Sequence, residues 1–130
     1  MGGPRHEGPD QPRQAPERDS RSHRLWPGLF TVLVALQLLV LYAPSAPGRV
    51  EVTGLDKVVH ASVFGLPALV ATLRRWPWVL LALALHAPLS ELVQHVLLPH
   101  RDGNVWDAVA DLAGIVLGVA VAVVGRRLAR

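Results

Sequence analysis

The chain has 130 residues, of which 51% are hydrophobic, and its mean hydropathy is +0.32. A domain of this length has little interior, so this apolar content excludes an ordinary soluble fold and indicates a membrane protein. The chain has no cysteine, which excludes disulfide bonds and thiolate metal sites. The formal charge of +3 comes mostly from cations between or beyond the apolar segments, so we expect no nucleic-acid partner.

The apolar residues collect into four segments behind a polar beginning. Residues 1 to 24 combine prolines, glycines and mixed charges with almost no apolar side chains, which predicts a disordered basic tail. Residues 25 to 130 predict one all-α domain, a bundle of four transmembrane helices with an uncleaved first helix. We place the four spans at about 25–43, 56–73, 76–98 and 105–125.

The positions of lysine and arginine predict how these spans cross the membrane. The tail, the link between spans two and three, and the C-terminus hold ten of the 13 Lys and Arg residues. The other three lie in the first and third links. Because basic residues favour the cytoplasmic side, both termini are predicted in the cytoplasm of a multi-pass protein, with the first and third links outside.

In the fourth span, small residues recur every four positions, and they are Ala110, Gly114, Gly118 and Ala122. Such a stripe predicts that a neighbouring helix packs closely against this face.

Ionisable residues of the last three spans fall at matching depths near the predicted outer side. Glu91 and Asp111 each lie seven residues inside a span end, about 10 Å deep at the rise of a helix. His95 and Asp107 lie three residues inside the same ends, which predicts that they face each other as Glu91 and Asp111 do. Spacings of three or four residues share a helix face, so we expect these groups to converge: Asp56 with His60, Glu91 with Gln94 and His95, and Asp107 with Asp111.

Buried ionisable groups are costly in a bilayer and normally face a partner or a water-filled cavity, which makes this convergence a predicted functional site. An alternative is that the same side chains only fix helix packing through hydrogen bonds. Metal binding stays open, because the imidazoles and carboxylates are suitable ligands but form no recognised metal motif such as HExxH. If a reaction occurs, acid–base work by Glu91 or an aspartate, assisted by His60 or His95, is the available chemistry.

Four short motifs follow one another in this region: Asp56-Lys57-x-x-His60-x-x-x-Phe64, Glu91-x-x-Gln94, Pro99-x-Arg101, and Asp107-x-x-x-Asp111-x-x-Gly114-x-x-x-Gly118. Their order and spacing, over about residues 52 to 122, resemble the VanZ-like family of membrane proteins, which usually has asparagine at the place held by Asp111. The resemblance implies a small multi-helix protein of the bacterial plasma membrane and no defined reaction. The family's namesake is associated with resistance to the glycopeptide teicoplanin. The motif residues carried over are Asp56, Lys57, His60, Glu91, Gln94, Arg101, Asp107 and Asp111.

We therefore expect an outward-facing polar site that binds or modifies an anionic lipid or a lipid-linked cell-wall precursor. Lys57 and Arg101 at its mouth suit a phosphate group. The candidate catalytic residues are Glu91, Asp107, Asp111 and His60, and the candidate ligand-binding residues are Asp56, Lys57, Gln94, His95 and Arg101. The alternative is a non-catalytic scaffold, and the sequence leaves cofactor, oligomeric state and enzymatic activity open.

Overall fold

The computed structural model describes residues 18–43, 54–98 and 104–130, with side chains from Leu25 onward. These residues form four α-helices: α1 (Arg18–Tyr42), α2 (Leu55–Arg74), α3 (Pro77–Leu97) and α4 (Val105–Leu128). Each helix contains a stretch long and apolar enough to span a membrane, and in α1 this stretch is Leu25–Tyr42. The predicted all-α class and its four spans are therefore confirmed at the level of helix length and composition.

Helix α1 begins at Arg18, inside the segment predicted as a tail. The apolar part of α1 nevertheless begins at Leu25, where the first span was predicted. Arginine and serine are acceptable in a helix, and a helix can continue past an apolar stretch without burying anything. The rest of the predicted tail, residues 1–17, lies outside the described residues, as do most of the first link and most of the third.

A tight turn joins α2 to α3. Arg75 has a left-handed backbone (φ 59°), and its amide donates to the carbonyl of Thr72 while the Trp76 amide donates to Ala71. These two bonds satisfy carbonyl groups at the end of α2, as in a Schellman motif. Pro77 then begins α3, where the missing amide hydrogen costs no helical hydrogen bond. The turn makes α2 and α3 antiparallel neighbours.

Helices α2 and α4 pack most closely. A Cβ atom at Gly114 would overlap the backbone of Ala61, and one at Gly118 would overlap the backbone of Gly65. Gly114, Gly118 and Ala122 are all buried. The small-residue stripe predicted in the fourth span is therefore confirmed, and its neighbour is α2.

The two ends of the bundle differ in their side chains. At one end, here the basic end, the Arg126 guanidinium donates to the carbonyl of Thr72, and Arg74 lies 5.9 Å from the centre of the Trp26 ring. At the other, here the polar end, α1 and α3 finish while α2 and α4 begin. Between the ends lies a small core built around Phe64, Leu83 and Ile115, while Leu85, Val116 and Leu117 are exposed, as apolar residues facing lipid would be.

Candidate functional site

The polar end gathers ionisable side chains from three helices. The first two turns of α2 and of α4 each contribute ionisable side chains that are four residues apart and so share one helix face. Helix α3 contributes a glutamate near its end. The start of α4 is fixed by Asn104, whose side chain accepts a hydrogen bond from the Trp106 amide at 3.0 Å. We call the group the His60 cluster, and its members are Asp56, Lys57, His60, Glu91, Asp107 and Asp111.

His60 lies at the centre of this cluster. Its Nδ1 atom is 3.0 Å from Oδ1 of Asp111, a hydrogen bond from α2 to α4. The same nitrogen is 3.7 Å from Oε1 of Glu91 on α3. The side chains of His60, Glu91 and Asp111 are 12%, 8% and 0% exposed, so three ionisable groups share a site shielded from the surroundings. Three helices therefore meet at one imidazole.

Lys57 forms the outer edge of the cluster. Its ammonium group is 3.0 Å from Oδ2 of Asp56 and 3.0 Å from Oδ1 of Asp107. The Lys57 side chain is 42% exposed, whereas that of Asp107 is 14% exposed. Sequence reasoning had paired Asp107 with His95, but the structure pairs it with Lys57. The lysine thus links the starts of α2 and α4 and leaves part of its charge accessible.

Two carboxylate oxygens in the cluster are buried without a hydrogen-bond partner among the described residues. They are Oε1 of Glu91 and Oδ2 of Asp111. The other oxygen of Glu91, Oε2, accepts a hydrogen bond from the Asn104 amide at 2.9 Å, which fixes the carboxylate against the start of α4. A buried polar atom without a partner costs free energy, so these two oxygens require an explanation beyond packing.

The donor atoms are close enough together to share a ligand. One ligand atom each from His60, Glu91 and Asp107 lie within 4.8 Å of one another. The cluster thus contains an imidazole flanked by carboxylates, which is suited to proton transfer, and a set of nitrogen and oxygen donors on three helices.

Two further predicted site residues, Gln94 and His95, do not join the cluster. Gln94 is buried, but its amide donates to the carbonyl of Leu41 at 3.1 Å and so ties α3 to α1. His95 is exposed. Glu91 lies at the edge of the buried face of α3, and the step of about 40° from Glu91 to His95 turns His95 off that face. The predicted convergence of His95 with Asp107 is therefore wrong. Arg101 lies outside the described residues.

A second polar group lies between α1 and α3. His86 Nε2 is 2.9 Å from the Tyr42 hydroxyl, and His86 Nδ1 is 3.4 Å from Nε2 of Gln37. We call these three residues the His86 network. If the Gln37 amide donates to Nδ1, the proton on Nε2 is free to donate to Tyr42, and a neutral imidazole has both nitrogens satisfied. The feature of the sequence that could have indicated this network is Gln37, a lone polar residue within an apolar run.

An open depression between α2 and α3 lies at the basic end, away from the His60 cluster. It is lined by Ala71, Thr72, Arg75, Trp76, Pro77 and Leu80. The outward-facing cavity predicted at the cluster therefore stays a prediction.

Comparison with family models, curated proteins and solved structures found no match to this chain.

Proposed function

We propose that the chain is a multi-pass protein of the bacterial plasma membrane, with both termini in the cytoplasm. In this proposal the His60 cluster faces outward and binds or modifies an anionic lipid or a lipid-linked cell-wall precursor. The observation that carries it is His60 held between the buried carboxylates of Asp111 and Glu91 at one end of the bundle. Ionisable groups at membrane depth are costly, and they normally mark a substrate, ion or proton pathway.

The distribution of charge supports the orientation. Arg74, Arg126 and Arg127 lie at the basic end, opposite the His60 cluster. Basic residues flanking spans favour the cytoplasmic side, so the polar end would face outward. Reporter fusions in the first link at Gly48 and in the third link at Gly103 test this. Both reporters should be active outside, and a cytoplasmic signal from either would reject the orientation.

A VanZ-like identity is part of the proposal. Seven of the eight motif residues carried over from that family are described, and six of them form the His60 cluster. Their convergence supports treating the motif as one site, and it makes sensitivity to the glycopeptide teicoplanin a reasonable phenotype to measure.

Recognition of an anionic group would begin at the outer edge of the cluster. The partly exposed Lys57 ammonium would meet a phosphate first, with Arg101 following in the third link. Deeper in, the His60 imidazole lies between two carboxylates and could pass a proton to or from a bound group.

A structural role is the second candidate, and particular contacts favour it. Glu91 accepts from the Asn104 amide, and Gln94 donates to the Leu41 carbonyl, so both side chains connect α3 to the backbone of other segments. Such bonds hold helices together in a bilayer without any ligand. In this case the protein would act as a non-catalytic scaffold whose polar side chains only fix helix packing.

A matched pair of histidine variants separates the two candidates. We expect His60→Gln and Glu91→Gln to change envelope lipid composition or teicoplanin sensitivity while the protein stays at its normal level in the membrane. His86→Gln is the control, because His86 is also half-buried within a helix but lies outside the cluster.

Normal abundance with unchanged lipids and unchanged sensitivity in both cluster variants would reject the binding and catalytic proposal. A fall in abundance of the cluster variants, without a fall for His86→Gln, would favour the scaffold.

A further inference from the structure

We propose that the His60 cluster binds one divalent transition-metal ion, of the Zn²⁺ or Mn²⁺ class. The ligands would be a ring nitrogen of His60 and one carboxylate oxygen each from Glu91 and Asp107, because these atoms lie within 4.8 Å of one another. The inference goes beyond the proposed function, since it needs neither a lipid nor a reaction.

The spacing of these atoms fits an ion with little rearrangement. Nitrogen and oxygen ligands bound at 2.0–2.2 Å around one tetrahedral ion stand about 3.3–3.6 Å apart. The three donor atoms lie within 4.8 Å of one another. Side-chain movements of about 1 Å would therefore close the site. Three protein ligands also leave a position for water or for an oxygen of another group.

The buried oxygen of Glu91 is an independent sign that a ligand belongs here. Oε1 has no hydrogen-bond partner among the described residues, although the side chain is only 8% exposed. The Asn104 amide holds Oε2 at 2.9 Å, and Oε1 lies beside the His60 ring, 3.7 Å from the Nδ1 atom that bonds Asp111. Burying an unpartnered carboxylate oxygen is costly, and a cation bound beside His60 would satisfy it.

The charges of the cluster also call for a cation. Among the described residues, four carboxylates share one ammonium group, that of Lys57, which pairs with Asp56 and Asp107. Within the same residues, His60 is the only basic side chain paired with Glu91 and Asp111. A divalent ion would supply the missing positive charge. Asp107 can accept from Lys57 and still bind the ion, because a carboxylate offers about four lone-pair sites.

Asp111 would act as a positioning residue. It is fully buried, and its Oδ1 accepts the hydrogen bond from Nδ1 of His60 at 3.0 Å. A carboxylate on one ring nitrogen fixes the ring and leaves the lone pair on the other nitrogen for a metal. An imidazole among carboxylates suits Zn²⁺ or Mn²⁺ better than Mg²⁺ or Ca²⁺, which prefer oxygen ligands alone.

The direct test is metal binding by the full-length protein, purified in detergent, treated with a chelator and dialysed against Zn²⁺ or Mn²⁺. We expect one bound ion per chain by elemental analysis. His60→Gln and Glu91→Gln should each weaken binding by more than about 100-fold, and Asp111→Asn by about 10- to 100-fold. His86→Gln should bind as the wild type does. No binding by the wild type, or equal binding by His60→Gln, would overturn the proposal.

X-ray absorption of the Zn²⁺-loaded wild type tests the ligand set without any variant. This test therefore remains possible even if a substituted protein fails to fold. The expected shell has one imidazole nitrogen and otherwise oxygen atoms. A shell with no imidazole, or with more than one, would overturn the assignment. Neither measurement depends on lipid. Absence of metal binding would therefore leave the proposed lipid function untouched, and absence of a lipid phenotype would leave the metal-binding result untouched.

Discussion

The two partly buried histidines of the bundle have opposite surroundings. His86, on α3, lies between the neutral side chains of Gln37 and Tyr42. His60, on α2, lies between the carboxylates of Asp111 and Glu91. Both connect their own helix to others, and both lie within apolar helices. The charge of the partners is the main difference between them.

This difference separates a packing role from a site. In the His86 network one tautomer satisfies every ring nitrogen, so helix packing is a sufficient explanation. In the His60 cluster, Oε1 of Glu91 and Oδ2 of Asp111 are buried without partners among the described residues. Packing alone would be served better by neutral or apolar side chains of similar size. The surplus of carboxylates is therefore the feature on which the proposed function rests.

Replacing a histidine by leucine should give the largest loss in the free energy of unfolding. The loss should be greater for His60→Leu than for His86→Leu. His60→Leu leaves two buried carboxylates without their imidazole, and breaking a buried charged pair costs about 3–5 kcal/mol. His86→Leu removes two neutral hydrogen bonds, for about 1–2 kcal/mol. The free energy of unfolding can be compared by denaturing-detergent titration in mixed micelles. Equal losses would remove the distinction between the two regions.

The close contact of α2 with α4 should be the next most sensitive feature. Gly114→Ala places a Cβ atom in the backbone of Ala61, so the helices must separate, at a cost of about 1–3 kcal/mol. The same movement would lengthen the bond between His60 and Asp111. Gly125→Ala is the control, because nothing lies within 4 Å of its added Cβ atom. The same titration measures both variants. If Gly114→Ala were as stable as Gly125→Ala and the wild type, the close contact between α2 and α4 would be contradicted.

The smallest effect is expected within the His86 network. Tyr42→Phe removes one neutral hydrogen bond to His86 and should cost about 0.6 kcal/mol, a typical value for such bonds between membrane helices. Ser62→Ala is the matched loss of a hydroxyl group, because Ser62 bonds the carbonyl of Val58 in its own helix. It should change stability less than Tyr42→Phe does. A loss for Tyr42→Phe as large as that of His60→Leu would contradict the neutral description of this network.

Helix positions and the heights of residues along the helices followed well from the sequence, because the rise per residue is nearly constant. The predicted spans end within a few residues of the observed apolar helices. Depth matching correctly brought Glu91 and Asp111 to the same level, where both approach His60. The small-residue stripe correctly indicated a close helix neighbour.

Rotation about the helix axis and choice of partner were harder to predict. His95 shares a depth with Asp107, but it lies past the edge of the buried face, and a turn of a few tens of degrees decides this. The bond of Glu91 to the Asn104 amide depends on where α4 begins, because only the first backbone amides of a helix are free to donate to it. The His86 network joins α1 to α3, and no local pattern specifies that pairing.

The glycine contact between α2 and α4 also sets an order of events during synthesis. A ribosome delivers α2 first, and α3 lies between it and α4 in the chain. His60 is therefore made before Asp107 and Asp111, and Glu91 is made before the Asn104 amide that donates to it. Until α4 is made, His60 lacks its bond to Asp111 and Glu91 lacks its bond to Asn104. In the proposed membrane setting, buried ionisable groups without such partners are costly. The fourth helix is thus the one that completes the polar end.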